Sequence, residues 1–118
     1  MENSIQRTFA EDGTATVIVQ GEIDFSNADE LADSVREVVA DKSPTTVRID
    51  LRRASFIDST GLGALIEGYQ AATEAQTGFV VVNPTPSFRR VLMVTGLCDF
   101  FGLSEPEESA EQTQATGA

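Results

Sequence analysis

Apolar residues recur along this chain with two periods, two and about three and a half, and the switches between them mark out its elements. Thr14 to Gln20 centres on the β-branched run Val17-Ile18-Val19 and predicts a strand. Ile5 to Ala10 predicts an edge strand joined to it through Glu11-Asp12-Gly13, a composition suited to a hairpin. After Gly21-Glu22-Ile23-Asp24 the period lengthens. Ala28, Leu31, Val35, Val38 and Val39 predict a helix capped by Ser26 or Asn27, with Asp29 and Glu30 in a first turn that favours negative charge. Lys42-Ser43-Pro44 ends it, and Thr45 to Leu51 alternates, with Val47, Ile49 and Leu51 on one face and Arg48 and Asp50 on the other. That strand is expected to be covered on one side only.

A second helix follows, with Leu62, Leu65, Ile66, Tyr69 and Ala72 at helical spacing, its cap expected at Ser59 or Thr60 and its end near Gly78. Phe79 to Val82, stopped by Asn83-Pro84, predicts another strand. Ser87 is the expected cap of a last helix carrying Phe88, Val91, Leu92 and Thr95 on one face, ended by Gly96. The order β-β-α-β-α-β-α, with a short final strand expected near Phe101, defines an α/β class. It predicts a mixed, mostly parallel sheet of four or five strands, helices mainly on one face, and an N-terminal antiparallel hairpin strand at one edge. The loops at Asp24 and Ser59 then share one end of the sheet, where parallel sheets present ligand and partner sites.

Composition changes this picture at the C-terminus. From Ser104 bulky apolar residues vanish in favour of Glu, Gln, Ser, Thr, Ala and Gly, so a domain of residues 1–103 is expected to carry a disordered acidic tail of residues 104–118. The 118 residues suit one domain, and the net charge is −11, of which the four tail glutamates account for four and leave −7. Such a charge argues against direct binding of nucleic acid or an anionic membrane, and for protein partners with basic surfaces. No apolar run is long enough to span a bilayer and the start of the chain does not read as a secretory signal, so a cytoplasmic location is expected. Cys98, the one cysteine, reads as a small buried hydrophobe. The absence of histidine removes Ser-His-Asp and Cys-His catalysis.

Candidate chemistry concentrates in Phe56-Ile57-Asp58-Ser59-Thr60-Gly61-Leu62-Gly63. A hydroxyl at a helix mouth lies where unpaired N–H groups and the helix dipole favour phosphate, although Ser and Thr are also ordinary caps. Neither a dinucleotide fingerprint nor a P-loop is present, because Ile66 stands where a third glycine would be needed and no Gly-Lys-Ser/Thr follows. The glycines read as points of close backbone approach and tight helix packing, or as room for a partner. Asp58 beside Ser59 does not make a hydrolytic pair without a base in reach. Asp24, Asp58 and Asp50 are carboxylates of the kind that gather Mg²⁺, and equally of the kind that sit solvated at loop ends. No metal or cofactor is assigned. Phosphorylation gives the segment more purpose, since it adds about −1.5 to −2 charges where a packed partner would meet them.

As an ordered set, Gly21-Glu22-Ile23-Asp24 with Asn27-Ala28 and Leu31, the strand ending Asp50-Leu51, the Phe56 to Gly63 segment, Asn83-Pro84, and Val91-Leu92 with Gly96-Leu97 resembles the STAS family, and within it the single-domain anti-sigma factor antagonists of bacteria. The resemblance spans residues 3–103. It implies a non-enzymatic, partner-switching protein whose unmodified form binds a serine kinase that is also an anti-sigma factor, thereby releasing a sigma factor for transcription. It implies phosphorylation by that kinase on the residue matching Ser59, with Thr60 the second candidate, and reversal by a metal-dependent serine phosphatase. Asp58 matches the position before the acceptor, Asp24 the acidic position of the neighbouring loop, and Thr60 a hydroxyl beside the acceptor. Asp24, Asn27, Asp58, Ser59, Thr60, Gly61 and Leu62 are the expected partner-binding residues. A non-switching scaffold, or an accessory subunit of a transport or stress-signalling assembly, is the alternative that related domains suggest.

Overall fold

The computed structural model describes residues 5–99 and 101–102, so the acidic tail expected at 104–118 lies outside the described residues. The strands are β1 (Ile5–Phe9), β2 (Thr14–Ile23), β3 (Thr46–Ile57) and β4 (Gly78–Val82), and the helices α1 (Ala28–Lys42), α2 (Ser59–Glu74) and α3 (Pro86–Thr95). The sheet runs β1-β2-β3-β4, with β1 antiparallel to β2 and the other pairs parallel. The hairpin turns at Gly13, whose φ of 94° suits glycine, while Asp12 accepts the Thr14 N–H at 2.9 Å.

One face of the sheet supplies Val17, Val19, Val47, Ile49, Leu51 and Val81 to a single core. Leu31, Val35 and Val38 of α1, Leu65 and Ala72 of α2, and Phe88 and Leu92 of α3 fill the other side of it. Each of these leucines, when fully buried, contributes on the order of 1.5–3 kcal/mol. Ile18, Val80 and Val82, which alternate with the core residues and so point the other way, stay outside that core and partly exposed. The helices thus occupy one face, as the one-sided alternation of β3 predicts.

β2 and β3 are longer than expected. Their alternation breaks at register shifts between Ile18 and Gln20 and between Gly21 and Glu22, and pairing then resumes through Ile23 opposite Ile57. A bulge inserts a residue and swaps faces, which ends the period in the sequence without ending the strand. Helix α2 closes at Glu74, not near Gly78. Gly78 belongs to β4, where a Cβ would come within 3.0 Å of Thr46 Oγ1, so this glycine answers to strand pairing and not to a helix stop.

Helix α3 is capped by Thr85, which accepts the Phe88 N–H at 3.2 Å, with Pro86 in the first turn; Ser87 lies inside the helix. Its buried stripe is Phe88 and Leu92, while Val91 and Thr95 are exposed. Gly96 ends it at φ 76°, as expected. Among the described residues there is no fifth strand. Phe101 lies in a turn at the edge of β4, where its carbonyl accepts the Val81 N–H at 2.8 Å and its ring packs 5.8 Å from Phe79 and 6.3 Å from Tyr69. Cys98 is half-buried against the core rather than enclosed within it.

Candidate functional site

The bulged extensions of β2 and β3 carry two loops to the same end of the sheet. The backbone ties them there, since Ile23 pairs with Ile57 and the Asp58 N–H donates to the Ile23 carbonyl at 3.1 Å. The first of these loops is Asp24 to Asn27, and Asn27 occupies the cap position of α1 without a side-chain capping bond. Its side chain reaches back: Oδ1 accepts the Asp24 N–H at 2.9 Å and Nδ2 donates to the Glu22 carbonyl at 2.9 Å. Asp24 Oδ1 accepts both the N–H and the hydroxyl of Ser26, at 2.9 and 2.6 Å. This loop is held by its own side chains, which leaves Phe25 standing 78% exposed.

In the second loop the cap of α2 is Asp58, a correction to the expectation of Ser59 or Thr60. Asp58 is extended, and its Oδ1 accepts the N–H groups of Thr60 at 2.9 Å and Gly61 at 3.1 Å together with the Thr60 hydroxyl. Carboxylate outranks hydroxyl here because it is charged and accepts several donors at once. The Thr60 hydroxyl, then the Gly61 N–H, hold the Asp58 carboxyl below its usual value. Ser59, in the first turn, is therefore not consumed by capping. It is exposed, and its hydroxyl makes no hydrogen bond among the described residues, whereas the Thr60 hydroxyl is bound to Asp58.

Gly61 has a steric role. A Cβ there would lie 2.6 Å from Ile57 Cγ2 and 2.9 Å from Ile23 Cγ2, so only glycine lets the first turn of α2 sit on the strand ends. Gly63 is different: added Cβ would meet nothing within 4 Å. The expectation of close packing thus holds for Gly61 and fails for Gly63, which instead lines an open cleft of about 300 Å³ between α1 and α2 with Phe25, Ala28, Asp29, Thr60, Ala64 and Glu67. Leu62 is half-buried against the core.

Asp50 does not join this end. It pairs across from Ile18, and its Oδ1 accepts the Arg52 N–H and the Asn83 side chain at 2.9 and 3.1 Å, fixing Asn83 in a left-handed turn with φ 58°. Among the described residues no three Asp, Glu or Cys side chains form a metal-holding group. Phe25 carries no expectation from the sequence, and Phe56 only its place at the head of the candidate segment, not a binding role; Phe56 is 55% exposed and paired with Glu22 beside the site. Their signal was a large aromatic at each strand end where the alternation had already lapsed.

A four-stranded mixed sheet, helices on one face, and a loop pair that offers an exposed serine and two exposed aromatics at one end of the sheet together make up the candidate site. A family model described as the STAS domain matches residues 8–110, and the chain belongs to that family, whose members of this kind are binding proteins and not enzymes. The anti-sigma-F factor antagonist RsfB of Mycobacterium tuberculosis is 38% identical over 106 residues, covering 86% of this chain and 82% of RsfB. The crystal structure of an anti-sigma factor antagonist from Mycobacterium paratuberculosis is 37% identical with a TM-score of 0.73, covering 93% of both chains. SpoIIAA, an anti-sigma factor antagonist in its unphosphorylated form, shares the fold at a TM-score of 0.72 and 21% identity, covering 94% of this chain and 96% of SpoIIAA. No helix among the described residues is long and apolar enough to cross a membrane.

Proposed function

We propose that this chain is an anti-sigma factor antagonist that binds, in its unmodified form, a serine kinase acting as anti-sigma factor, and that phosphorylation of Ser59 switches this binding off. The observation that carries the reading is the division of labour at the mouth of α2. Asp58 does the capping and engages the Thr60 hydroxyl, leaving the exposed Ser59 hydroxyl unbonded and available to a kinase. Phe25 and Phe56 supply apolar area beside it, the kind of aromatic anchor that dominates protein interfaces. Asp24 and Asn27 set the Phe25 loop, and Gly61 and Leu62 set the turn that presents Ser59.

Phosphate on Ser59 adds about −1.5 to −2 charges, so a partner packed over this end meets repulsion and a desolvation cost without any refolding of the domain. A metal-dependent serine phosphatase restores the binding form. On this reading the protein works in the bacterial cytoplasm, uses no cofactor of its own and touches neither nucleic acid nor membrane. The similarity to named antagonists at 37–38% identity supports it.

Calorimetric titration of the host's serine kinase with wild type, Ser59→Ala and Ser59→Asp tests the switch. Ser59→Ala is expected to bind as wild type does and Ser59→Asp at least about 30-fold more weakly, a difference of about 2 kcal/mol. Equal affinities, with Ser59→Asp still folded by circular dichroism, overturn the reading in favour of a non-switching scaffold. Phosphosite mapping of the protein from its host complements it: the tryptic peptide Ala54 to Arg89 holds Ser55, Ser59, Thr60, Tyr69, Thr73, Thr77, Thr85 and Ser87, so fragmentation must assign the phosphate.

A further inference from the structure

Ser26, Ser55, Ser59 and Thr60 are exposed hydroxyl side chains on the strand extensions and loops that form the candidate site. Two of them are held by the same device. Asp24 Oδ1 accepts the N–H of Ser26 at 2.9 Å and its hydroxyl at 2.6 Å, and Asp58 Oδ1 accepts the N–H of Thr60 at 2.9 Å together with its hydroxyl. In each case the carboxylate lies two residues ahead of the hydroxyl it binds, once in the loop before α1 and once at the mouth of α2. Ser59 stands between Asp58 and Thr60 and is left out, since its hydroxyl makes no hydrogen bond among the described residues. Ser55 is unbonded as well, but it lies four residues earlier in β3, about 13 Å back along the strand.

The bonds to these carboxylates bear directly on phosphoryl transfer. In that reaction the acceptor oxygen bonds to the γ-phosphorus of ATP while the bond to the bridging oxygen of the departing ADP breaks, and the hydroxyl proton passes to a base of the kinase. The acceptor must therefore turn its oxygen outward and have its proton free to give. Ser59 turns among its staggered rotamers without breaking a bond. Ser26 and Thr60 must each first give up a hydrogen bond to an ionised acceptor, stronger than a neutral one, which lowers the population of the freed hydroxyl about tenfold or more. Asp58 does not offset this by serving as the base itself, because the bonds that hold its carboxyl below its usual value also make it a poor proton acceptor. Thr60 is set aside in a second way. It borders the cleft between α1 and α2 with Asp29 and Glu67, carboxylates that repel a triphosphate, and Ser59 does not line that cleft.

We propose, resting on the reading of Ser59 as the phosphorylated switch, that Asp24 and Asp58 set the selectivity of that switch: each withholds the hydroxyl two places on, Ser26 and Thr60, so that phosphate is confined to Ser59. Both act through the hydroxyls they hold and are positioning residues. The confinement matters most at Thr60, where a phosphate would take the hydroxyl from Asp58 and with it one of the bonds gathered at the mouth of α2.

The test incubates the full chain with the host's serine kinase and ATP, intact mass counting the phosphates and fragmentation assigning them. Wild type is expected to carry phosphate on Ser59 alone. In Ser59→Ala, with both aspartates in place, Thr60 and Ser26 are expected to take phosphate at most about a tenth as fast as Ser59 does in wild type. Adding Asp58→Ala should raise the rate at Thr60, and adding Asp24→Ala the rate at Ser26, each about tenfold or more. Asp58→Asn on the Ser59→Ala background keeps a capping oxygen without its charge, so the helix mouth stays closed, and is expected to give a smaller rise at Thr60. Ser55 is the control for loosened structure and should stay unmodified throughout. Phosphate on Thr60 of Ser59→Ala at the wild-type rate overturns the proposal, because Asp58 then withholds nothing or serves as the base. A Thr60 rate that neither Asp58 variant raises overturns it too, since position alone then excludes Thr60, and an unchanged Ser26 rate does the same for Asp24. Phosphate on Ser55 in an aspartate variant also overturns it, local unfolding being the cause. Each of these results leaves the switch itself standing, whereas a wild type that takes no phosphate on Ser59 overturns the reading of the switch and this proposal together.

Discussion

Gly61 and Gly63 stand two residues apart in the same helical turn, and alanine at each is expected to act with opposite sign. At Gly61 the new methyl would lie 2.6 Å from Ile57 Cγ2 and 2.9 Å from Ile23 Cγ2, about 1 Å inside the optimal carbon separation, so α2 must lift off the strand ends or the isoleucines must leave their rotamers. Overpacking of this size costs about 1–3 kcal/mol, partly offset by the better helix propensity of alanine, about 0.5–1 kcal/mol. At Gly63 nothing lies within 4 Å, and only the propensity gain remains. Thermal unfolding reads both: each 1 kcal/mol moves the midpoint of a domain this size by about 4 °C, so Gly61→Ala is expected to melt several degrees below wild type and Gly63→Ala slightly above it. A double-mutant cycle of Gly61→Ala with Ile57→Ala should recover part of the loss, since the truncated side chain no longer holds the clashing methyl. Equal shifts for the two glycines, or no coupling with Ile57, would refute the close approach as the reason for Gly61.

Three further outcomes follow from the geometry. The Asp58 carboxyl titrates below its ordinary value of 3.8, so its capping contribution is fully present above that pH and is lost as pH falls through the depressed value; urea midpoints of wild type and Asp58→Asn are expected to differ near pH 6 and to begin converging only once pH drops below about 3.8. Leu65→Ala, at a fully buried position, is expected to cost about 2–5 kcal/mol, whereas Val94→Ala, at an 80% exposed one, should stay within about 0.5 kcal/mol by the same denaturation assay. Phe25→Ala should leave the melting temperature unchanged while weakening binding to the kinase about tenfold or more; unchanged affinity would remove Phe25 from the interface.

The order of elements and the one-sided sheet were legible because they depend on period alone: Val47, Ile49 and Leu51 are buried and their neighbours are not. What period cannot express was missed. The bulges in β2 and β3 interrupt alternation while hydrogen bonding continues, so both strands read short, and these hidden extensions are what bring Asp24 and Asp58 together. Caps were misplaced by one or two residues where several cap-forming types crowd together. Asp58 outcompetes Ser59 and Thr60 through its charge, and Pro86 fixes Thr85 as the cap ahead of Ser87. Gly61 and Gly63 are indistinguishable as letters, and only the placement of Ile57 and of Ile23, 38 residues before Gly61, separates them. The site segment itself was visible; which of its hydroxyls stays free was not.

The turn at Phe101 has a consequence for how the molecule meets its own kind. An open sheet ends in strands whose outward N–H and C=O groups invite a foreign strand, and Val80-Val81-Val82 is the sort of β-branched stretch that templates aggregation. By taking the Val81 N–H, the Phe101 carbonyl occupies the middle of that border, and the aromatic packing behind it anchors the blockade. The opposite border, β1, is guarded by chemistry instead, with Arg7 and Thr8 exposed along it. One rim is plugged and the other charged, which keeps a small open sheet from growing at either end.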